Sequence, residues 1–590
     1  MRFKSQKSGG FQVFAVSGVN TISFGIDADQ AARQGLLGFA VERLDPTENE
    51  RYFMYGFKVF KSVIPQPGEG TIVSTWDQPV QSFVWDDFTA KPDRPYEYFF
   101  YPLKGAPRNL DRSTQPISIK VKTEPLFSNK EHDIFFNRGV ASSQAYVRKF
   151  GNKKPDSLTS PKREEALQWL SRELDEAILK FVEQAGAGDQ LLCCFYEFRY
   201  RPVAEALAEA IDRGVDMQLI VDAKVNETIQ DGEVVPSFPR EENLALIDDV
   251  DIPEERVHLR EAKPNEIQHN KFMVLLRNGV PKEVWTGSTN ISTGGIFGQT
   301  NVGHWIRNAE VAEDFRQYWL VLEQDLGSRK GDTRATAMAR NKELRQAVEG
   351  LLAVPGSREE IPAGVTAVFS PRSGLDVLKM YVDFVDTSQR LSCVTLAFGI
   401  NKLFKDRLID NTPASPIVFM LLEKQDVPNP QSTQPFVVIN ASNNVYKAWG
   451  AFLKDPIYQW AKETNARILQ LNHHVSYIHS KFLLSDPLGD DPLVVTGSAN
   501  FSAASTNDND ENMLIIRGDR RVADIYFTEF NRLFNHYYFR AVVESLHNND
   551  TPQSDDSLFL AEDSTWTNKY APNTLKSKRL NLYVTMTGFE

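Results

Sequence analysis

A chain of 590 residues is too long for one ordinary hydrophobic core and predicts two to four domains. With 41% hydrophobic and 24% charged residues it is globular rather than disordered, and an aromatic share of 11%, including 38 Phe, predicts large cores or apolar grooves. A net charge of -12 and a pI near 5.5 argue against a protein that coats nucleic acid through clustered Lys and Arg, while leaving room for a local basic pocket.

Residues 1–125 read as an all-β domain. Strands are predicted at Phe11–Val16, Thr21–Ile26, Gly38–Leu44, Tyr52–Phe60, Ser82–Trp85, Tyr96–Tyr101 and Ile117–Val121, several with alternating burial and with turn residues between them. That pattern predicts a β-sandwich of the immunoglobulin or fibronectin kind, with no catalytic cluster, and a role in recognition or docking of a protein partner.

From residue 130 the pattern changes to strand and helix alternation. Ile134–Phe136 is followed by a helix over Lys162–Gln184, a buried strand Gln190–Phe195, an amphipathic helix Val203–Arg213 and a strand Met217–Val221 ending at Asp222. This is the order of a βαβ unit. The second half repeats it with Val365–Phe369, Leu375–Val385, Leu391–Phe398 and Ile417–Leu422, so residues 130–326 and 365–548 read as a duplicated α/β unit joined by a connector over 327–364. Each half closes with a helix, Ala309–Leu326 and Arg521–Leu546. Residues 549–590 form a tail that opens as a polar linker and returns as a strand over Leu580–Met586.

The duplication extends to the polar residues. Gln268-His269-Asn270-Lys271 leads into an apolar strand, a turn, and Thr286-Gly287-Ser288-Thr289-Asn290; Ile478-His479-Ser480-Lys481 leads likewise into Thr496-Gly497-Ser498-Ala499-Asn500. Residues two apart on a strand face one side, so each His and its Lys project together. The remaining histidines read as structural, with His473 and His474 placed to shape the pocket.

These residues resemble the phospholipase D superfamily, whose signature is His-x-Lys, four intervening residues and an Asp, with Gly-Ser-x-Asn downstream. The second copy matches through His479, Lys481 and Asp486; in the first, Leu276 stands where the family has Asp. The resemblance implies a duplicated phospholipase D-like α/β core with one site at its pseudo-twofold interface, following the N-terminal β domain. It also implies a phosphodiesterase that needs no metal or cofactor and works through a phosphohistidine.

In that chemistry one imidazole attacks phosphorus and the other protonates the leaving oxygen, which imidazoles do near neutral pH. Lys271, Lys481, Asn290 and Asn500 hold the equatorial oxygens, and Ser288 and Ser498 brace them. Asp486, at the far end of a strand, reads as a structural partner. Eleven residues beyond each motif asparagine stand Asn301 and Glu511, where the family places a group that orients the histidine. If each partner serves its own half, the carboxylate favours an imidazolium at His479, making His479 the initial acid and His269 the nucleophile.

The substrate expected is a phospholipid headgroup, hydrolysed or transferred, with peripheral membrane contact. The alternatives are a nuclease using Arg199, Tyr200, Arg201 and Lys224 as a binding track for DNA or RNA, and a non-catalytic phosphate binder. Cys193, Cys194 and Cys393 read as buried hydrophobes and have no zinc-like spacing. The absence of an apolar h-region behind the N-terminal charges, and of an apolar run able to span a bilayer, predicts a cytoplasmic protein.

Overall fold

The computed structural model describes residues 1–67, 71–139, 146, 149–151, 153, 155–230, 233–428, 435–450, 478–548 and 559–590. His473 and His474 lie outside the described residues.

Two seven-stranded sheets form the centre. The first has the order 132–136, 302–306, 280–287, 271–277, 190–195, 216–222, 257–260, and the second the order 364–370, 511–517, 493–497, 482–485, 391–396, 417–422, 445–449. Position by position the two orders are the same, and in each the last three strands are parallel while the others are antiparallel. The core is therefore a duplicated α/β unit.

The central strands Lys271–Arg277 and Phe482–Ser485 are apolar on both faces because both faces are covered. Helix Ala309–Glu323 lays Phe315 and Trp319 on the first sheet, and Trp319 Nε1 donates to the Cys193 carbonyl at 2.8 Å. The 29-residue helix Arg520–Asn548 packs Tyr526 and Phe530 against Phe482 of the second sheet, and its Tyr526 against Phe136 of the first. All three cysteines are buried and free, their thiols pushed up by burial.

The helix expected over Lys162–Gln184 is two helices, Lys162–Ser171 and Leu174–Glu183. Arg172 and Glu173 between them have φ of 50° and 65°, outside the helical region. The break turns Arg172 inward to an ion pair with Glu529 of the long helix, which two more helical residues would not do.

The N-terminal residues form two antiparallel sheets, one of Arg2–Lys4, Phe11–Ser17, Ile22–Ala28 and Val84–Asp87, the other of Gly38–Asp45, Glu50–Phe53, Pro95–Ala106, Asn109–Asp111 and Ile117–Lys122. Phe24, Tyr98, Phe100 and Ile119 fill the space between them. The expected strand Tyr52–Phe60 is divided into Glu50–Phe53, Tyr55–Gly56 and Val59–Phe60, with Tyr55 and Phe57 exposed.

The end of the chain also enters this core. Leu575–Val584 is a helix, where a strand over Leu580–Met586 was expected, because the apolar residues Leu580, Tyr583 and Val584 recur at helical spacing and face the strand Ile22–Ala28. Trp566 and Tyr570 pack beside Phe83 in the same core. Arg2, 1% exposed, ties the pieces together: its guanidinium donates to Asp524 of the long helix, to the Pro487 carbonyl at 3.0 Å and to the Thr587 carbonyl at 3.0 Å. Among the described residues, no helix is long and apolar enough to cross a membrane.

Candidate active site

The two sheets meet along the ends that carry the motifs. Gln268 bridges to Asp510 and Thr300 to Ile478, each a parallel contact between one half and the other. His269 N–H donates to the Asp510 carbonyl at 2.9 Å, and Asp510 N–H returns a bond to the Ile267 carbonyl at 3.0 Å. His479 N–H donates to Thr300 Oγ1 at 3.1 Å. The middle residue of each His-x-Lys also reaches across, Asn270 Oδ1 accepting from Asn512 at 2.8 Å and Ser480 Oγ lying 3.2 Å from Thr300 Oγ1. Arg260, fully buried, clamps the same seam with a bond from Nε to Asp510 Oδ2 at 2.9 Å.

This docking brings His269 and His479 together edge to face, their ring centroids 6.4 Å apart with planes at 76°. Both rings are 5% exposed, at the floor of the seam. Beside them each lysine folds back on its own strand, Lys271 Nζ donating to the His269 carbonyl and Lys481 Nζ to the His479 carbonyl. The amide oxygens of Asn290 and Asn500 have no hydrogen-bond partner although they are buried. Tyr196 forms one wall, its ring 5.2 Å from that of His269 and 5.3 Å from Lys271 Nζ.

The expectation that each orienting residue serves its own half is overturned. Glu511 Oε2 lies 2.9 Å from His269 Nδ1, and Asn301 Oδ1 lies 2.9 Å from His479 Nδ1. The partners cross because the strand ends carrying Asp510 and Thr300 run alongside the motif of the opposite half. Asn301 also settles a tautomer: its Nδ2 donates to the Gly295 carbonyl at 2.7 Å and its Oδ1 accepts from Ser288 Oγ at 2.8 Å. The oxygen faces His479, so Nδ1 must carry the hydrogen and Nε2 is left to react.

Ser288 and Ser498, expected to brace the lysines and motif asparagines, hold the adjacent strands instead. Each hydroxyl accepts the backbone N–H of the adjacent strand, from Val302 at 3.1 Å and from Asn512 at 3.0 Å. The preceding glycines permit that approach: a Cβ on Gly287 would sit 2.2 Å from the Val302 carbonyl oxygen, and one on Gly497 2.3 Å from that of Asn512.

Asp486 does not belong to the site. It follows the far end of the strand Phe482–Ser485, away from the end that carries His479. There its carboxylate accepts backbone N–H groups of Gln389 and Arg390 at 2.8 Å and of Leu391 at 3.3 Å, pinning the start of the neighbouring strand. The first half does without this anchor, and Leu276 is simply packed in its core.

The four candidates for a nucleic-acid track each have a partner within the fold. Arg199 is paired with Glu197 and Glu242, Arg201 with Asp249, and Lys224 with Asp222, while Tyr200 donates to Asp175 at 3.0 Å. Among the other histidines, His132 and His304 pair with each other at 2.9 Å inside the core.

Burial dominates the electrostatics. It holds both histidines well below their usual range, reinforced by the neighbouring Lys271 and Lys481, and it pushes Lys271 down to about 7 and Lys481 well below the usual range for an ammonium. Glu511 is pushed up to about 8 by the same burial, against the opposing pull of Lys271. Burial thus holds both lysines and Glu511 towards their neutral forms.

The family model described as the phospholipase D-like domain of cardiolipin synthase matches residues 179–320 and 436–534, each segment holding one His-x-Lys and one Gly-Ser-x-Asn. No curated protein sequence matches the chain. Among solved structures, the phosphatidylserine synthase of Haemophilus influenzae Rd KW20 is similar at 12% identity over 70% of this chain and 94% of that one, with a TM-score of 0.43. The polyphosphate kinase of Porphyromonas gingivalis is similar at 11% over 59% of this chain and 46% of that one, less than half its length, with a TM-score of 0.36. Nuc of Salmonella typhimurium, a phospholipase D family member, is similar at 22% over 26% of this chain and 87% of that one, with a TM-score of 0.20. The two matched segments, which together make up less than half of the chain, each hold one copy of the duplicated motif, the copies meet across one seam, and these segments are similar to the phospholipase D superfamily.

Proposed function

We propose that the protein is a metal-independent phosphodiesterase acting through a phosphohistidine, with a phospholipid headgroup as substrate. The observation that carries the reading is the facing pair of imidazoles, each oriented through Nδ1 so that Nε2 is left to react, with two lysines and two uncommitted asparagine oxygens around them.

His269 is the nucleophile, for a reason opposite to the one drawn from sequence. A carboxylate hydrogen-bonded to Nδ1–H raises the electron density at Nε2 and stabilises the positive charge the ring acquires when it is phosphorylated. Nε2 of His269 forms the bond to phosphorus as the P–O bond to the leaving group breaks, and the leaving oxygen takes a proton from Nε2 of His479. The ring gains that proton when the anionic phosphate bound beside it offsets the burial that otherwise keeps it neutral. Asn301, an uncharged partner, holds that proton less firmly than a carboxylate would, which suits an acid. Water then attacks phosphorus, gives its proton to His479, and the P–N bond breaks. Lys271 and Lys481 swing from their carbonyls to the non-bridging oxygens, supplying the positive charge.

The lipid reading is supported by the description of the matching family model and by the pairing of the basic side chains that a nucleic acid track would use. Cleavage in EDTA of phospholipid vesicles, single- and double-stranded DNA and RNA in parallel, with His479→Ala as control, tests both. Headgroup release that the variant lacks is the expected result. Cleavage of nucleic acid alone replaces the substrate, and failure to cleave anything leaves a non-catalytic binder.

A further inference from the structure

A cluster of positive charge lies far from the histidines in the fold, where the C-terminal tail meets the N-terminal sheets. The strand Phe559–Leu560 pairs with Val59–Phe60, Glu562 accepts the Ser62 N–H at 2.6 Å, and Gln81 exchanges two bonds with Ala561. Beside this seam is a cleft of about 620 Å³, of the size that holds a small molecule. Three lysines line it, Lys58 from the N-terminal domain and Lys569 and Lys576 from the tail.

Among the described residues no carboxylate forms an ion pair with these lysines, while Lys576 Nζ lies 5.5 Å from the Tyr570 ring centroid. Burial and then the neighbouring Lys569 lower Lys58, and burial followed by Lys569, Lys58 and Arg579 pushes Lys576 down to about 8. The two acidic side chains of this stretch of the tail are engaged with backbone, Glu562 as above and Asp563 as the cap that accepts the Thr565 N–H at 2.9 Å. In a chain of net charge -12, three converging cations that repel one another need a reason.

The mouth of the cleft supplies the rest of the argument. A two-stranded ribbon, Tyr55–Gly56 paired with Val73–Ser74, holds Tyr55, Phe57 and Ile72 out to solvent at 64%, 47% and 51% exposure. Tyr55 and Phe57 also line the cleft. Apolar and aromatic side chains projecting beside a cationic pocket match the two layers of a bilayer surface, acyl boundary and anionic headgroup.

We propose that this cleft and ribbon dock the protein on anionic phospholipid, the three lysines receiving the headgroup phosphate while Tyr55, Phe57 and Ile72 enter the interface. The site is separate from the catalytic seam and does not rest on the reaction proposed there, so a protein without turnover still binds.

The test is flotation of the full chain carrying His479→Ala, which stops turnover, with vesicles of phosphatidylcholine alone or mixed with phosphatidic acid. Binding to the acidic vesicles only is expected. A Lys58→Gln/Lys569→Gln/Lys576→Gln variant should lose roughly 100-fold, about fivefold per lysine. Its thermal unfolding temperature should not fall, because the substitutions relieve repulsion. Tyr55→Ser/Phe57→Ser should weaken vesicle binding and leave binding of dihexanoyl phosphatidic acid intact. The proposal is overturned if the triple variant floats as well as its parent, or if inorganic phosphate or the short-chain lipid binds while vesicles do not. A single-stranded oligonucleotide retained through the same lysines in place of vesicles also overturns it.

Discussion

Replacing Glu511 by Gln isolates what the crossed pairing does. The carboxylate is fully buried, 2.9 Å from His269 Nδ1, and Gln offers an acceptor at the same place without the charge. Loss of a charged partner behind a reacting imidazole costs roughly 10- to 100-fold, or about 1.4 to 2.7 kcal/mol of transition-state stabilisation. The pH dependence changes as well. With Glu511 pushed up to about 8 and His269 held down, the buried pair keeps one shared proton at neutral pH and releases it as pH rises through that value. The nucleophilic step in the native protein therefore speeds up towards pH 8. In Glu511→Gln that rise disappears, since a neutral His269 is the only form left above its lowered range. Single-turnover quench-flow with a labelled phosphodiester, followed by mapping of the phosphorylated peptide, reads both quantities. A native rate in the variant, an unchanged rise with pH, or label on His479 would refute the reasoning.

Asp486→Asn should lower the stability of the second half by about 1–3 kcal/mol, because one of the two oxygens that serve three backbone donors becomes a donor itself. Turnover per folded molecule should stay at the native level; a loss of turnover without unfolding, measured by chemical denaturation alongside kinetics, would return Asp486 to the site. Binding of inorganic phosphate should take up protons at pH 8. Lys271, about 7 in the free protein, is largely neutral there and regains its proton beside an anion, so affinity falls as pH rises from 7 towards 10. Calorimetry in buffers of different ionisation enthalpy measures the uptake, and proton release would contradict this sign.

Much of this protein is legible without coordinates. The repeat of His-x-Lys, apolar strand, turn and Gly-Ser-x-Asn is a local pattern, and local patterns survive in sequence because each strand must bury its own apolar run. That was enough for the duplicated α/β core and for His269, Lys271, Asn290, His479, Lys481 and Asn500 as one set. Glu511 and Asn301 were singled out through the resemblance, which places an orienting group at that position. The N-terminal strands were found by alternation, but the break at Met54 and the helix at Leu575–Val584 were not, because both depend on what the segment packs against.

What tertiary structure alone decided is which residue stands behind which histidine. No periodicity links Glu511 to His269 or Asn301 to His479, since they are brought together only when Asp510 and Thr300 dock beside the opposite motif. Arg260 and Asp510, which hold that seam, show no pattern in the chain for the same reason. The lysine cleft has the same origin, joining residues more than 500 positions apart. Sequence determines what each strand is made of and which face is buried; the long-range docking of two finished halves, and of the tail on the first domain, is a property of surfaces that exist only after folding.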